Sequence, residues 1–432
     1  MTPGYVELHA RSAFSFLRGA SQPEALVETA ARLGLPALAL CDRDGVYGTA
    51  RFHARAREHG VRPIVGAELT LDDGSVLPVL VASREGYQNL CRLITRAKLR
   101  GSKHHAPVRW DELAEFTAGL VALTGDEDGA VRRALENDDH AGALACVEKL
   151  TATFGNENVF VEIQRHLRRG EDLLNDRLFS LADSTGLPAL ATNGVLHATR
   201  DERAVLDAFT CAREHTHLDA AGRRLALNDE RHLKPAALMR RLFTDRPDAL
   251  ANTVRLAERL DFTLENLGYE FPRYQGMSGE EMDAFLRKVT MAGARSRYSH
   301  LSQRVLAQLN RELALIAQLG FSGYFLIVWD LVNFCTAEGI LVQGRGSAAN
   351  SVVCYSLGIT ACDPIACSLL FERFLSEGRT SWPDIDLDLP SGERRERVIQ
   401  EVYRRYGPNG AAMTANVIDR KASCRERVYS SV

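Results

Sequence analysis

No stretch of about 18 uncharged apolar residues occurs in these 432 residues, and the opening MTPGYVELHARSAF lacks a basic region followed by an apolar core. The sequence therefore reads as cytoplasmic, with no membrane partner. Cys-x-x-Cys pairs are missing too. The nine cysteines stand singly and in odd number, which excludes a zinc ribbon and a disulfide framework. Most lie in apolar contexts such as CYSLG and LACVEKL and are expected to be small core residues. An excess of positive charge is also lacking. With a formal net charge of -3, any grip on nucleic acid must come from local basic clusters and from metal ions held by carboxylates. No internal repeat or low-complexity tract stands out.

What is present is material for two or three domains, 45% of it hydrophobic. Strand-like runs (ALALCD, PIVGAELTL, VLPVLVAS, LVALTGD, VFVEIQRH, LPALATNG) alternate with helical segments over the first half. That rhythm predicts an α/β fold with a largely parallel, barrel-like sheet, ending near residue 230. Residues 231–300 are helical and polar and read as a connector. From Leu301 a new pattern begins, with Leu306, Leu309, Leu313 and Ile316 on one helical face, on which a second domain is expected to pack.

Two segments carry chemistry. ILVQGRGSAANSVVCYSLG, residues 340–358, reads as strand, glycine loop and a helix capped by Ser347 and closed at Gly358. Gly344 and Gly346 would admit a ligand close to the backbone. Arg345, Ser347 and the helix N-terminus would offer donors suited to a triphosphate. By itself such a turn also has a purely structural reading. The second segment, WPDIDLDLP, alternates Asp384, Asp386 and Asp388 with Ile385, Leu387 and Leu389. In a strand, the carboxylates fall on one face, successive ones about 6.5 to 7 Å apart. Like charges so placed repel. Divalent cations reverse that cost, and carboxylates holding two ions are what in-line nucleotidyl transfer requires. Arg373 in FERFL, upstream of the acidic strand, is a further phosphate-contact candidate.

YFLIVWDLV, QGRGSAANSVVCYSLGIT, FERFLSEGR, PDIDLDLPSGERRERVIQEVYRRYG and AAMTANVI closely resemble the palm of the bacterial DNA polymerase III α-subunit family. GYVELHARSAFSFLRGAS, EIQRHLRRGED, LPALATNGV and NDERHLKP resemble its error-prone, damage-tolerance branch. The resemblance covers about residues 4–418. It implies a distorted (βα)-barrel domain of the polymerase-and-histidinol-phosphatase (PHP) type over 1–230, a helical connector over 231–300 and part of a polymerase-β-like nucleotidyltransferase palm over 301–418. It also implies Asp386 and Asp388 as metal-binding catalytic residues with Asp384 a third candidate, and Gly344, Arg345, Gly346, Ser347 and Arg373 as the dNTP triphosphate site. Two Mg2+ ions, primer-template DNA, dNTPs, a sliding clamp and damage-inducible accessory proteins are the implied cofactors and partners.

The sequence departs from the family pattern in two places. Where a metal-competent PHP domain carries His-x-His, Asp-His, a Glu and a late Asp-x-His, this sequence reads His9-Ala10-Arg11, Asp42-Arg43, Glu68 and Gly194-Val195-Leu196. His9, Asp42, Glu68 and His166 are expected to be remnants of a site that binds no catalytic metal. The family also continues beyond MTANVI into thumb, fingers and a third catalytic aspartate. Residues 419–432 match none of it, so the chain is expected to be a truncated polymerase, inactive alone. The other readings are a PHP-type metal-dependent phosphoesterase, which would need an intact histidine cluster, and a non-catalytic scaffold.

Overall fold

A computed structural model describes residues 4–102, 105–267, 273–375 and 383–412. These residues fall into two compact units, 4–267 and 273–412.

The first unit is built on seven strands: β1 (Glu7–Ala10), β2 (Ala37–Arg43), β3 (Arg62–Thr70), β4 (Val76–Val81), β5 (Leu120–Leu123), β6 (Val159–Gln164) and β7 (Ala189–Thr192). They hydrogen-bond in chain order. Pairing is parallel from β1 to β3, antiparallel on both sides of β4, and parallel again from β5 to β7. Just past β7 the chain returns to β1: the Val195 amide donates to the His9 carbonyl and the Arg11 amide to the Val195 carbonyl, each 2.9 Å. The sheet is thereby nearly closed, in agreement with the α/β barrel-like expectation.

Strands such as VLPVLV are buried at every position, as they must be when both faces of a sheet are covered. One face packs against helices including Pro23–Arg32, Arg84–Arg100 and Glu171–Thr185 through Leu26, Leu90, Leu93 and Leu178. The other face forms a smaller core of Leu8, Ala39, Cys41, Ile64, Val121, Phe160 and Leu190, closed by Leu256 and Leu260. The period of two carries that second face from Cys41, Ile64 and Phe160 on to Arg43, Glu68 and Glu162. An apolar floor thus gives way to charge further along the same strands.

Residues 231–300, expected to be a connector, are divided between the units. Helices Ala236–Leu242 and Pro247–Arg259 give Met239, Leu250 and Leu256 to the first unit. Helix Gly279–Arg297 gives Leu286 and Ala294 to the second. Their polar composition reflects helices buried on one side only.

In the second unit, helices Gln303–Gln318 and Ser322–Ala337 surround Leu309, Leu313, Ile316 and Phe325. Leu306 is only half-buried, and Val305 takes the buried position beside it. Among the described residues, no single helix is long and apolar enough to cross a membrane. A two-stranded antiparallel ribbon, β8 (Gln343–Arg345) and β9 (Asp386–Asp388), carries the acidic segment.

The helix after β8 corrects the sequence reading. Residues 346–350 form a 3-10 turn, and the α-helix is Val352–Ser356, capped by Ser351 rather than Ser347. Its N-terminal donors are already taken. The buried Glu312 carboxylate accepts from the Val352 amide (3.1 Å), the Val353 amide (3.1 Å) and the Ser351 hydroxyl (2.7 Å). These bonds offset the burial that pushes Glu312 upward in pKa. Glu312→Ala orphans two buried amides and a hydroxyl, so urea unfolding is expected to show a loss of roughly 2 to 4 kcal/mol. Glu312→Gln should retain part of that stability.

Candidate functional site

The acidic segment keeps its predicted alternation. Asp384, Asp386 and Asp388 are exposed, while Ile385 is buried and Leu387 half-buried. Only Asp386 and Asp388 lie within the paired strand; Asp384 precedes it. The register sets Arg345 opposite Asp386 and Gln343 opposite Asp388. The Arg345 guanidinium consequently reaches both carboxylates, at 3.0 Å from Asp388 and 3.7 Å from Asp386. Its side chain is 61% exposed, and ion pairs this open are typically worth about 0 to 1 kcal/mol. Arg345 is therefore free to exchange partners at little cost.

The two loop glycines differ in purpose. A Cβ on Gly344 would lie 2.6 Å from the Ile359 carbonyl, which accepts the Gly344 amide at 2.7 Å. That close approach is to the protein's own backbone, not to open space. Gly346 has φ +69°, and around its missing Cβ the nearest atom is an Asp386 carboxylate oxygen, 3.9 Å away. This glycine is the one that leaves room for a ligand. Ser347 sits in the turn with its carbonyl accepting from Asn350. Arg373 is exposed at the end of a short 3-10 turn and makes no ion pair among the described residues.

At the charged end of the barrel, the four expected remnants do not converge. His9 and Glu68 meet, at 2.7 Å, and Asp126 joins them, with ligand-type atoms of all three within 4.8 Å of one another. Asp42 is instead held by the Ser12 amide (2.7 Å) and the Ser12 and Ser15 hydroxyls. His166 donates from Nε2 to the Asn193 carbonyl at 2.9 Å. Burial and the nearby Arg231 hold its pKa well below the usual imidazole range, so it is neutral.

The carboxylates of the converging trio are fully engaged by arginine. Arg11 bonds both Glu68 and Asp126, Arg43 bonds Glu68 at 2.7 Å and Asp128 at 2.8 Å, and Arg231 bonds Asp126 at 2.7 Å as well as Glu127. His9 lies between Glu162 on Nδ1 and Glu68 on Nε2, both 2.7 Å. Burial alone would depress His9; the two carboxylates outweigh it and push its pKa up to about 10. Burial raises Glu68 and Asp126, and the arginines more than reverse this, holding both well below the carboxylate range. Glu7, buried without a cation of its own, is pushed up to about 7. Asp126, Glu162 and Arg231 are the members that sequence reasoning missed. LVALTGD places Asp126 shortly after a strand and VFVEIQRH places Glu162 within one, which is a usable signal. Arg231 is distant in the chain and gives none.

Residues 7–166 match the PHP domain family and residues 284–429 match the family described as the bacterial DNA polymerase III alpha NTPase domain. Error-prone DNA polymerases are similar over nearly the whole chain. That of Mycolicibacterium paratuberculosis is 44% identical over 428 residues, covering 96% of this chain and 39% of the relative. That of Pseudomonas aeruginosa is 42% identical over 415 residues, covering 96% and 38%. The chain is thus similar to PHP domains in its first part and to bacterial DNA polymerase III alpha proteins in its second. It spans about two fifths of the length of these relatives. Among solved structures, an amidohydrolase from Chromobacterium violaceum overlays with a TM-score of 0.29 at 15% identity, over 46% of this chain and 89% of that one.

The barrel end is an ion-pair network in which guanidinium groups engage the carboxylates that a metal ion would need. Metal analysis of the purified protein is expected to find no stoichiometric zinc or manganese tied to His9, Glu68 and Asp126; two or three tightly held ions per chain would overturn this.

The same network sets a pH dependence. Glu7 and His9 both bind protons more tightly folded than unfolded, so each contributes stability that is lost as pH rises. The window for Glu7 runs from 4.5 to about 7, and that for His9 from 6.5 to about 10. Glu68 and Asp126 act oppositely, their contribution being lost as pH falls below the ordinary carboxylate range. Thermal unfolding followed from pH 6 to pH 10 should show a falling midpoint. His9→Gln should flatten the alkaline limb and cost roughly 3 to 5 kcal/mol at neutral pH, the usual penalty for stranding a buried charge.

Proposed function

We propose that the chain provides the PHP domain and the metal- and nucleotide-binding ribbon of an error-prone DNA-directed DNA polymerase. The observation that carries this reading is the β8–β9 register, which brings a cationic side chain, an open glycine and two exposed carboxylates together. Asp386 and Asp388, with Asp384 beside them, form an all-oxygen donor set suited to hard divalent ions such as Mg2+. Ions held there would offset charge on the attacking and leaving oxygens during nucleotidyl transfer. Arg345 then turns from the carboxylates to the triphosphate. The Gly346 turn leaves space for it, and the Ser347 hydroxyl and Arg373 add donors. Because Glu312 occupies the following helix N-terminus, phosphate contacts in this loop come from the turn at 346–350. The substrates so read are primer-template DNA and dNTPs, and the attacking group is the primer 3′-hydroxyl. Kinship with error-prone polymerases extends the proposal to translesion synthesis during damage repair, a cytoplasmic location, and a sliding clamp and accessory proteins as partners.

For the barrel, the arginine network supports a supporting role rather than phosphoesterase chemistry. A metal-dependent hydrolase needs Glu68 and Asp126 free to ligate, and both are bound to guanidinium groups.

Manganese binding to this chain, read by water-proton relaxation, tests the ribbon. Asp386→Ala and Asp388→Ala should each abolish it. Arg345→Ala should tighten manganese and weaken dNTP binding by about ten- to a hundredfold, a split that a merely structural arginine would not produce. In a chain extended to the full length of its relatives, Asp386→Asn or Asp388→Asn should slow primer extension on the order of a thousandfold. Unchanged metal binding and extension in both aspartate variants would refute the proposal.

A further inference from the structure

A second charged feature of the first unit is not used by this proposal. Beside the ion-pair network lies a cleft of about 790 Å3, lined by eight arginines and only three carboxylates, Glu127, Asp128 and Glu214. The inner arginines, Arg11, Arg43 and Arg231, are balanced by the buried carboxylates described above. Arg213 is paired with Glu214. Arg18, Arg168, Arg223 and Arg224 make no ion pair among the described residues. The cleft thus holds a surplus of positive charge that the chain does not neutralise.

Two details show that this surplus is built in. The Nε of Arg168 is buried with no hydrogen-bond partner, a state that ordinarily costs free energy. The residues immediately before the unpaired Arg18 and Arg168 are leucines forced into the left-handed region, Leu17 at φ +66° and Leu167 at φ +57°. Non-glycine residues hold such backbone only where the surroundings impose it, and such positions gather at binding sites. The Leu17 turn is itself tied down: its carbonyl accepts from Arg213 at 2.9 Å. Burial and the facing Arg43 and Arg213 also depress the Arg18 pKa, outweighing Asp128 and Asp44, which act the other way.

We propose that this cleft is a metal-independent binding site for a compact anion bearing two or more phosphoryl groups. Planar guanidinium forks bond phosphate oxygens in pairs, and several converging forks suit linked phosphates better than a single one. The volume is that of a nucleotide-sized ligand. The carboxylates between the arginines interrupt the continuous positive track that an extended nucleic-acid strand would follow. Nucleoside polyphosphates and inorganic polyphosphates share this chemistry. The site is built from residues of the first unit alone, so it does not depend on the polymerase reading.

Calorimetric titration of the chain with tripolyphosphate, dATP and orthophosphate, in EDTA, tests the assignment. Tripolyphosphate is expected to bind well above orthophosphate. The double variant Arg18→Gln/Arg168→Gln should lose about tenfold or more in affinity with an unaltered circular dichroism spectrum, whereas Arg345→Ala should retain tripolyphosphate binding. In the Arg345→Ala variant, tighter binding of dATP than of tripolyphosphate would assign a nucleoside polyphosphate; equal binding would assign the phosphate chain alone. Should the double variant fold poorly, the exposed Arg223→Gln/Arg224→Gln pair replaces it with the same expected loss. Equal affinity in variant and parent, abolition of binding by EDTA, or displacement of tripolyphosphate by a lower concentration of oligothymidylate would each overturn the proposal.

Discussion

Glu68 is the residue on which the charged end of the barrel depends. It is fully buried, and its two oxygens serve His9, Arg11 and Arg43. A lone carboxylate at that depth would sooner take up a proton than keep its charge. Here three cations keep it ionised, and each of them is anchored again, on Glu162, Asp126 or Asp128. β1, β2 and β3 are therefore cross-tied by charge as well as by backbone hydrogen bonds, at the place where the apolar core of the enclosed face ends.

The ribbon of the second unit inverts this arrangement. Its charges are open to solvent, and the ion pairing of Arg345 with the two aspartates is of the weak, screened kind. Rigidity is supplied from beneath, by Glu312 fixing the start of helix Val352–Ser356 and by Ile385 buried under the carboxylates. A firm base under loosely partnered charge suits a surface that must trade its internal partners for ligands. The buried network of the barrel cannot make that trade without stranding ions.

Much of this architecture was legible in the sequence. Apolar strand-length runs separated by helical segments gave the barrel, and strict alternation in DIDLDL announced which side of that strand would face solvent. The sequence put Arg11 and Arg43 where the family pattern has histidines, and the fold brings both onto Glu68. What was illegible is mostly non-local. Ser347 and Ser351 are equally good caps by type, and only Glu312, 39 residues before Ser351, decides between them. The polar stretch 231–300 hid helices that belong to two cores, because one-sided burial needs few apolar residues. Asp42 and His166 looked like partners of His9 until the fold placed serines around one and the Asn193 carbonyl against the other. Most cysteines were expected in the core; Cys362 and Cys367 are exposed with sulfurs 3.2 Å apart, and Cys424 lies outside the described residues.

The way the arginines share their carboxylates also has a consequence for descent. Arg11 and Arg231 meet on Asp126, and Arg11 and Arg43 meet on Glu68. Replacing any one of them by a neutral ligand leaves a buried carboxylate short of a counter-charge, while the remaining guanidinium groups still repel an incoming ion. Each single step toward metal binding therefore weakens the fold before it gains a ligand. The arginine-filled barrel is in this sense locked: leaving it demands several changes at once.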